Sequence, residues 1–140
     1  MKTVFADTGY WIALLDPQDT LHTKAIQCSK SLPQVTIYTS EMVLTEFLNH
    51  FAKRGEFLRR AATRFVYSLQ QNPAMVITPQ TSEIYHQALI LYAQRTDQAW
   101  SHTDCASFCI MRQNSITEAL AYDKHFEQAG FIALLREQTE

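Results

Sequence analysis

Short apolar runs alternate along the chain with longer segments in which apolar residues recur every three or four positions. The short runs predict strands, and the longer segments predict helices. The predicted strands cover residues 3–6, 35–38, 75–78, 119–122 and 131–134. The predicted helices cover residues 9–15, 20–32, 41–53, 56–70, 81–95 and 104–114, with Ser40 as the cap of the third.

This alternation predicts an α/β fold with a central, mainly parallel sheet of four or five strands and helices on both faces, because parallel strands are joined by crossover helices. The 140 residues contain no internal repeat, low-complexity tract or linker. A chain of this length suits one domain that buries about two-thirds of its unfolded surface. We therefore expect a single domain over residues 1–140.

Composition narrows the class of protein. Hydrophobic residues make up 46% of the chain, charged residues 19%, and the net charge is −2. This balance predicts a compact domain without a generally basic nucleic-acid coat. The three cysteines have no zinc-type spacing, and no segment approaches the roughly 20 apolar residues that span a bilayer. We expect a cytoplasmic protein with reduced cysteines and no membrane contact.

Aspartates follow two of the predicted strands. Asp7 follows "TVFA", and Asp123 follows "ALAY". Because the carboxyl ends of parallel strands meet at one edge of a sheet, both side chains are expected at the same rim, where such folds bind ligands. Two carboxylates at one crevice favour a metal site.

Each acidic residue also has a structural interpretation. Asp7 and Asp123 are suitable N-caps for the segments that follow them, and Asp104 lies three residues after Ser101, as in a capping box. Glu46 falls on the polar side of its predicted helix. Spacing alone does not bring Glu46 or Asp104 to the rim.

Four segments together resemble a known family. They are "VFADTGYW", "TSEMVLTEFLNHF", "WSHTDCASFCIM" and "ALAYDKHFEQAGF", in this order over the whole chain. They are similar to the four acidic motifs of PIN-domain ribonucleases, and most of all to VapC-type toxins. Ala121 departs from the pattern, because threonine is common two residues before the last aspartate. The resemblance implies an acidic cluster of Asp7, Glu46, Asp104 and Asp123, supported by the hydroxyl residues Thr8 and Ser101.

The resemblance also implies a reaction and its cofactor. Mg²⁺ and Mn²⁺ prefer oxygen ligands and promote hydrolysis of phosphodiesters. We expect metal-dependent cleavage of RNA, with Asp7 and Asp104 as the principal ligands and Glu46 and Asp123 as direct or water-mediated ones. Four carboxylates at one rim are expected to raise some of their pKa values by mutual repulsion.

Partners follow from the same resemblance. VapC-type chains imply a small antitoxin protein that blocks the site, and a homodimer. Phe57, Phe65 and Tyr67 are candidate exposed anchors for an interface. Two alternatives remain open at this stage, namely a housekeeping RNA-processing nuclease and a non-catalytic RNA- or protein-binding module with a vestigial site.

A local run of cations offers a candidate RNA-binding surface. It comprises Lys53, Arg54, Arg59, Arg60 and Arg64, with Glu56 as the one acidic residue among them. Such a run is usually a solvated helix face, but RNA is a polyanion and the chain as a whole is acidic. A surface or capping role is expected for His102, beside the third motif, and the five histidines do not form the pair of a zinc helix. These are His22, His50, His86, His102 and His125.

Overall fold

The structure is a computed structural model that describes residues 2–32 and 34–136, and these residues form five strands and seven helices. The strands are β1 (Lys2–Ala6), β2 (Val35–Ser40), β3 (Met75–Thr78), β4 (Glu118–Leu120) and β5 (Ile132–Ala133). The helices are α1 (Thr8–Leu15), α2 (His22–Ser31), α3 (Glu41–Phe51), α4 (Glu56–Gln71), α5 (Ser82–Gln94), α6 (His102–Gln113) and α7 (Lys124–Gln128).

The five strands form one sheet in the order β3-β2-β1-β4-β5, and every pairing is parallel. The predicted α/β class is therefore confirmed. In register, Phe5 of β1 pairs with Tyr38 of β2 on one side and with Ala119 of β4 on the other. The central strand is β1, which makes it the strand most enclosed by the fold.

Burial along β1 shows that both faces of the sheet are covered. Val4, Phe5 and Ala6 are consecutive and have no exposed surface. Because successive strand residues point to opposite faces, burial of all three requires packing on each side. The largest buried side chains in this core are phenylalanines, at positions 5, 47, 51, 108 and 126.

Two boundaries differ from the sequence prediction in ways that matter for the acidic residues. Helix α6 begins at His102 rather than at residue 104, because Ser101 is its N-cap and forms a full capping box. Strand β4 ends at Leu120 rather than at residue 122. Asp123 therefore does not end a strand but caps the short helix α7, which the apolar periodicity did not predict.

The order of the strands positions the carboxyl end of β1 beside that of β4. The chain proceeds from β1 through β2 to β3 on one side, whereas β4 and β5 lie on the other side. The backbone N–H of Asp7 donates to the carbonyl of Leu120 at 3.1 Å and closes this junction. A reversal of strand order of this kind opens a crevice beyond the strand ends.

The described helices include none that is both long and apolar enough to cross a membrane. The three cysteines are free thiols, as predicted, and Cys105 is buried.

Candidate active site

A cleft of about 640 Å³ opens at the carboxyl ends of β1 and β4. Its walls include every carboxylate and supporting hydroxyl that the sequence singled out. These residues are Asp7, Thr8, Glu46, Ser101, Asp104 and Asp123. They come from four separate segments of the chain, so the fold brings together side chains that spacing alone could not assemble.

Asp7 lies at the N-cap position of α1, but its side chain makes no capping hydrogen bond. The pKa of Asp7 is raised from 3.8 to about 7, chiefly because burial disfavours the charged carboxylate. The backbone N–H of Thr8 opposes the rise, and the carboxylates of Asp104, Glu46 and Asp123 add to it. Mutual repulsion therefore contributes as expected, but burial is the larger cause. The side chain of Asp7 is not used as a helix cap.

Glu46 reaches the cleft from the middle of α3. Its carboxylate oxygen Oε1 accepts a hydrogen bond of 2.6 Å from the hydroxyl of Thr8, the first residue of α1. The polar position that periodicity gave Glu46 is thus the side of α3 that faces α1 and the cleft. This bond fixes the direction of one carboxylate of the cluster.

Asp104 has a capping role and a place in the cleft at the same time. Its backbone N–H donates to the Ser101 hydroxyl at 3.0 Å, and its Oδ2 accepts from the Ser101 backbone N–H at 3.0 Å. The same Oδ2 lies 2.9 Å from Nδ1 of His125. The structural interpretation of Asp104 is confirmed, and it does not compete with a role in the site, because the capped residue still lines the cleft.

Asp123 combines the same two features. Its Oδ1 accepts from the backbone N–H of His125 at 3.0 Å, which caps α7. That oxygen also lies 3.2 Å from Nδ1 of the same histidine. The carboxylate is held close to Asp104 by a shared neighbour.

Three further residues of the cleft were missed by sequence reasoning, namely Lys124, His125 and Arg136. The sequence assigned no site role to His125, whose ring contacts two of the acidic residues. A local signal was available, because the carboxylate of an N-cap aspartate accepts from the backbone N–H two residues later, which is that of His125. Arg136 bonds Glu127 at 3.1 Å and the carbonyl of Tyr122 at 3.2 Å, which holds its guanidinium beside the acids.

The predicted basic residues lie outside the cleft. Arg59, Arg60 and Arg64 border a separate groove of about 400 Å³ on α4. Arg54 is bound to Oδ2 of the buried Asp16 at 3.1 Å. The cationic run is therefore divided between a surface groove and an ion pair that supports the fold.

Two of the three candidate interface residues are exposed. Phe57 is 77% exposed and Tyr67 is 62% exposed. The expectation for Phe65 is wrong, because its ring packs against Trp11 and Phe47, with centroid distances of 5.8 and 5.3 Å. It lies on the inward face of α4 and closes the core.

The donor set of the cleft fits a hard divalent cation. Four carboxylates supply oxygen ligands, and ligand atoms of Asp104, Asp123 and His125 lie within 4.8 Å of one another. Burial raises the pKa of Asp7 first, and the carboxylates of Asp104, Glu46 and Asp123 add to the rise, so the charged form of Asp7 needs compensation. A cation with a preference for oxygen would supply that compensation.

The model of the PIN domain family matches residues 4–132. The chain is similar to the 23S rRNA-specific endonuclease VapC20 of Mycobacterium tuberculosis, with 30% identity over 132 residues, which cover 92% of this chain and 95% of that protein.

Solved structures show the same architecture. The crystal structure of Mycobacterium tuberculosis VapC20, described as a sarcin-ricin loop cleaving toxin, superposes with a TM-score of 0.84 and 27% identity, and covers 94% of this chain and 98% of that one. FitAcB from Neisseria gonorrhoeae has a TM-score of 0.64 and 20% identity over 93% and 94% of the two chains, which shows a shared fold. With the family match spanning nearly all described residues, this chain belongs to the PIN domain family.

Proposed function

We propose that this protein is a metal-dependent endoribonuclease that hydrolyses phosphodiester bonds in RNA, and that it is the toxin of a toxin–antitoxin pair. One observation carries the proposal. A chain of the PIN domain family, similar over almost its full length to a 23S rRNA-specific endonuclease, gathers four carboxylates in one cleft.

The carboxylates divide into ligands and supports. Asp7 and Asp104 would hold Mg²⁺ or Mn²⁺, and Glu46 and Asp123 would complete its surroundings directly or through water. A bound cation supplies water activation and neutralises charge on the phosphoryl oxygens. The chain's own contribution is to orient these groups: Thr8 fixes Glu46, and Ser101 fixes Asp104.

Two cations in the cleft are suited to the RNA backbone. Lys124 and Arg136 line the same walls as the acids, so they lie where phosphates next to the scissile bond would pass. The groove of Arg59, Arg60 and Arg64 would extend this contact over α4. Lys53, in the turn between α3 and α4, would complete the basic surface, whereas Arg54 of the same turn is bound to Asp16. Such contacts add affinity without reading sequence.

A cleavage assay tests the activity. The purified protein is incubated with ribosomal RNA, with Mn²⁺ or Mg²⁺ and with EDTA. We expect cleavage only with the metal, and loss of most of it in Asp7→Asn and Asp104→Asn, which keep the volume but remove the charge. Asp97→Asn is the matched control, because Asp97 is exposed, is bound to Arg95 and is not among the residues that line the cleft. Undiminished cleavage by either cleft variant would refute the ligand assignment.

Growth experiments test the toxin role. Expression of the chain alone should arrest growth, and Asp7→Asn should not. Co-expression of a small protein encoded beside it should restore growth, because an antitoxin would cover the acidic cleft. Growth arrest by wild type and Asp7→Asn alike would contradict the role. An RNA substrate of this kind implies a cytoplasmic protein.

A homodimer is proposed through the exposed aromatic residues of α4. Phe57 and Tyr67 expose large rings that contribute most to interfaces when they become buried. The mass in solution, measured by light scattering, should correspond to two chains and should fall to one in a Phe57→Ser, Tyr67→Ser double variant. A monomeric wild type would refute the homodimer and leave the proposed activity unaffected.

A further inference from the structure

The imidazole of His125 joins two carboxylates that come from different helices. Its Nδ1 lies 2.9 Å from Oδ2 of Asp104, on α6, and 3.2 Å from Oδ1 of Asp123, the cap of α7. Both oxygens are acceptors, so Nδ1 is the ring nitrogen that carries a proton and donates it. The side chain of His125 is only 20% exposed, which fixes it between the two acids.

In each of the two carboxylates, only one of the two oxygens takes part in the contacts described above. On Asp104, the backbone N–H of Ser101 and the ring of His125 both donate to Oδ2. On Asp123, the backbone N–H of His125 donates to Oδ1, and Nδ1 of the ring lies 3.2 Å from the same oxygen. Both residues line the cleft, and within the described chain the second oxygen of each carboxylate takes no part in these contacts, which leaves it for a ligand.

We propose that His125 is a positioning residue, which holds Asp104 and Asp123 side by side so that their second oxygens bind the cation of the cleft. This inference rests on the proposed metal-dependent function. Without the bridge, each carboxylate is held only by its backbone N–H donor, and their mutual repulsion favours separation. Groups that orient metal ligands in this way typically change metal affinity or activity by about 10- to 100-fold when they are removed.

Two substitutions separate the effect of the Nδ1 donor from a general effect on the fold. Asparagine places its amide nitrogen on Cγ, at the position of Nδ1, so His125→Asn keeps the donor. Glutamine extends one bond further and places its nitrogen near Nε2, so His125→Gln has similar polarity without a donor at the right point. His125→Ala removes both the donor and the polar side chain. His86→Ala, at an exposed position of α5, is the control for loss of a histidine.

Mn²⁺ binding by calorimetry and cleavage kinetics are measured on the full chain for all five proteins. We expect His125→Ala and His125→Gln to weaken Mn²⁺ binding by about tenfold or more. They should also lower kcat more than they raise KM, while His125→Asn and His86→Ala stay close to wild type. Wild-type Mn²⁺ affinity in His125→Ala overturns the proposal, as does a loss in His125→Asn equal to that in His125→Ala.

The same experiment distinguishes this proposal from the function on which it rests. If wild type binds Mn²⁺ and cleaves RNA while all four variants do the same, only the positioning role is refuted. If wild type neither binds Mn²⁺ nor cleaves RNA, the metal-dependent function fails, and the positioning role fails with it.

Discussion

The hydroxyl of Thr8 donates a hydrogen bond of 2.6 Å to Oε1 of Glu46, across 38 positions of the chain. Thr8 is the first residue of α1, directly after Asp7, and Glu46 lies in the middle of α3. The bond therefore links the carboxylate of one helix to the start of another at the wall of the cleft. Hydrogen bonds to an ionised group are stronger than those between neutral groups, so this contact strongly favours one orientation of Glu46.

Thr8→Val should impair cleavage without unfolding the protein. Valine keeps the branched shape but removes the donor, so Glu46 loses its orientation. We expect kcat to fall about tenfold, which corresponds to about 1.4 kcal/mol, close to the lower end of the range of roughly 1.5–3 kcal/mol for a hydrogen bond to a charged group. Thr8→Ser keeps the hydroxyl and should retain most of the activity. Equal activity of the valine and serine variants would show that the bond does not matter for the reaction.

Asp7 should make the metal-free protein less stable as pH rises. Its pKa is 3.8 when unfolded and about 7 when folded. Between these values the folded chain holds a proton that the unfolded chain has released, so the free energy of unfolding falls with rising pH through this window. Asparagine cannot titrate. In EDTA, Asp7→Asn should therefore gain in melting temperature relative to wild type between pH 5 and pH 7.5.

The control for this prediction is Asp97→Asn. Hydrogen bonding to Arg95 lowers the pKa of Asp97, so this carboxylate stays ionised between pH 5 and pH 7.5. The difference in melting temperature between Asp97→Asn and wild type should be the same at both pH values. A pH profile of Asp7→Asn parallel to that of wild type would show that Asp7 does not titrate in this range.

Mn²⁺ should stabilise the wild type, and more strongly above pH 7 than below it. A ligand bound only by the native state adds about 2.7 kcal/mol at a hundredfold excess over its dissociation constant. Below about pH 7 a proton on Asp7 competes with the cation, so the rise in melting temperature should shrink at pH 5.5. Asp7→Asn should show a much smaller rise at either pH. An unchanged melting temperature of the wild type would mean that the cleft does not bind Mn²⁺.

The fold was predictable because its elements carry local signals. The β-branched run 75–78 is bounded by Pro73 and Pro79, and β3 occupies those residues. Ser40 was predicted as the cap of α3, and its hydroxyl accepts from the backbone N–H of Val43. Signals of this kind depend on a few neighbouring residues, so the sequence alone is sufficient to read them.

The site was only partly predictable because it depends on distant contacts. Asp7 could be assigned from its place after β1. The sequence could not decide between a cap and a site residue for Asp104, because this residue caps α6 and also lines the cleft. His125 was missed because its ring contacts Asp104, which is 21 positions away along the chain. The packing of α6 and α7 brings the two residues together. The inward turn of Phe65 likewise depends on Trp11 and Phe47.

The stability of the fold should respond differently to the same substitution at Arg54 and at Arg64, although both belong to the basic run. Arg54 compensates the buried carboxylate of Asp16, whose pKa is lowered first by the backbone N–H of Gln18 and then by Arg54. Arg54→Gln leaves that buried charge partly uncompensated, so we expect a loss of about 1–3 kcal/mol and a melting temperature several degrees lower. Arg64→Gln lies on the exposed groove and should stay within about 0.5 kcal/mol of wild type.

RNA affinity should depend more on Arg64 than on Arg54, which is the reverse of their effects on stability. RNA binding is measured with catalytically inactive protein that carries Asp7→Asn. If the groove on α4 contacts phosphates, Arg64→Gln on this background should weaken RNA binding and should reduce the dependence of log affinity on log salt concentration by about one. Arg54→Gln, measured well below its melting temperature, should change that slope little, because its guanidinium is held by Asp16. RNA titrations of both variants at several salt concentrations measure the affinity and its dependence on salt. An unchanged slope in Arg64→Gln would assign the groove to the solvated surface and leave Lys124 and Arg136 as the RNA-facing cations.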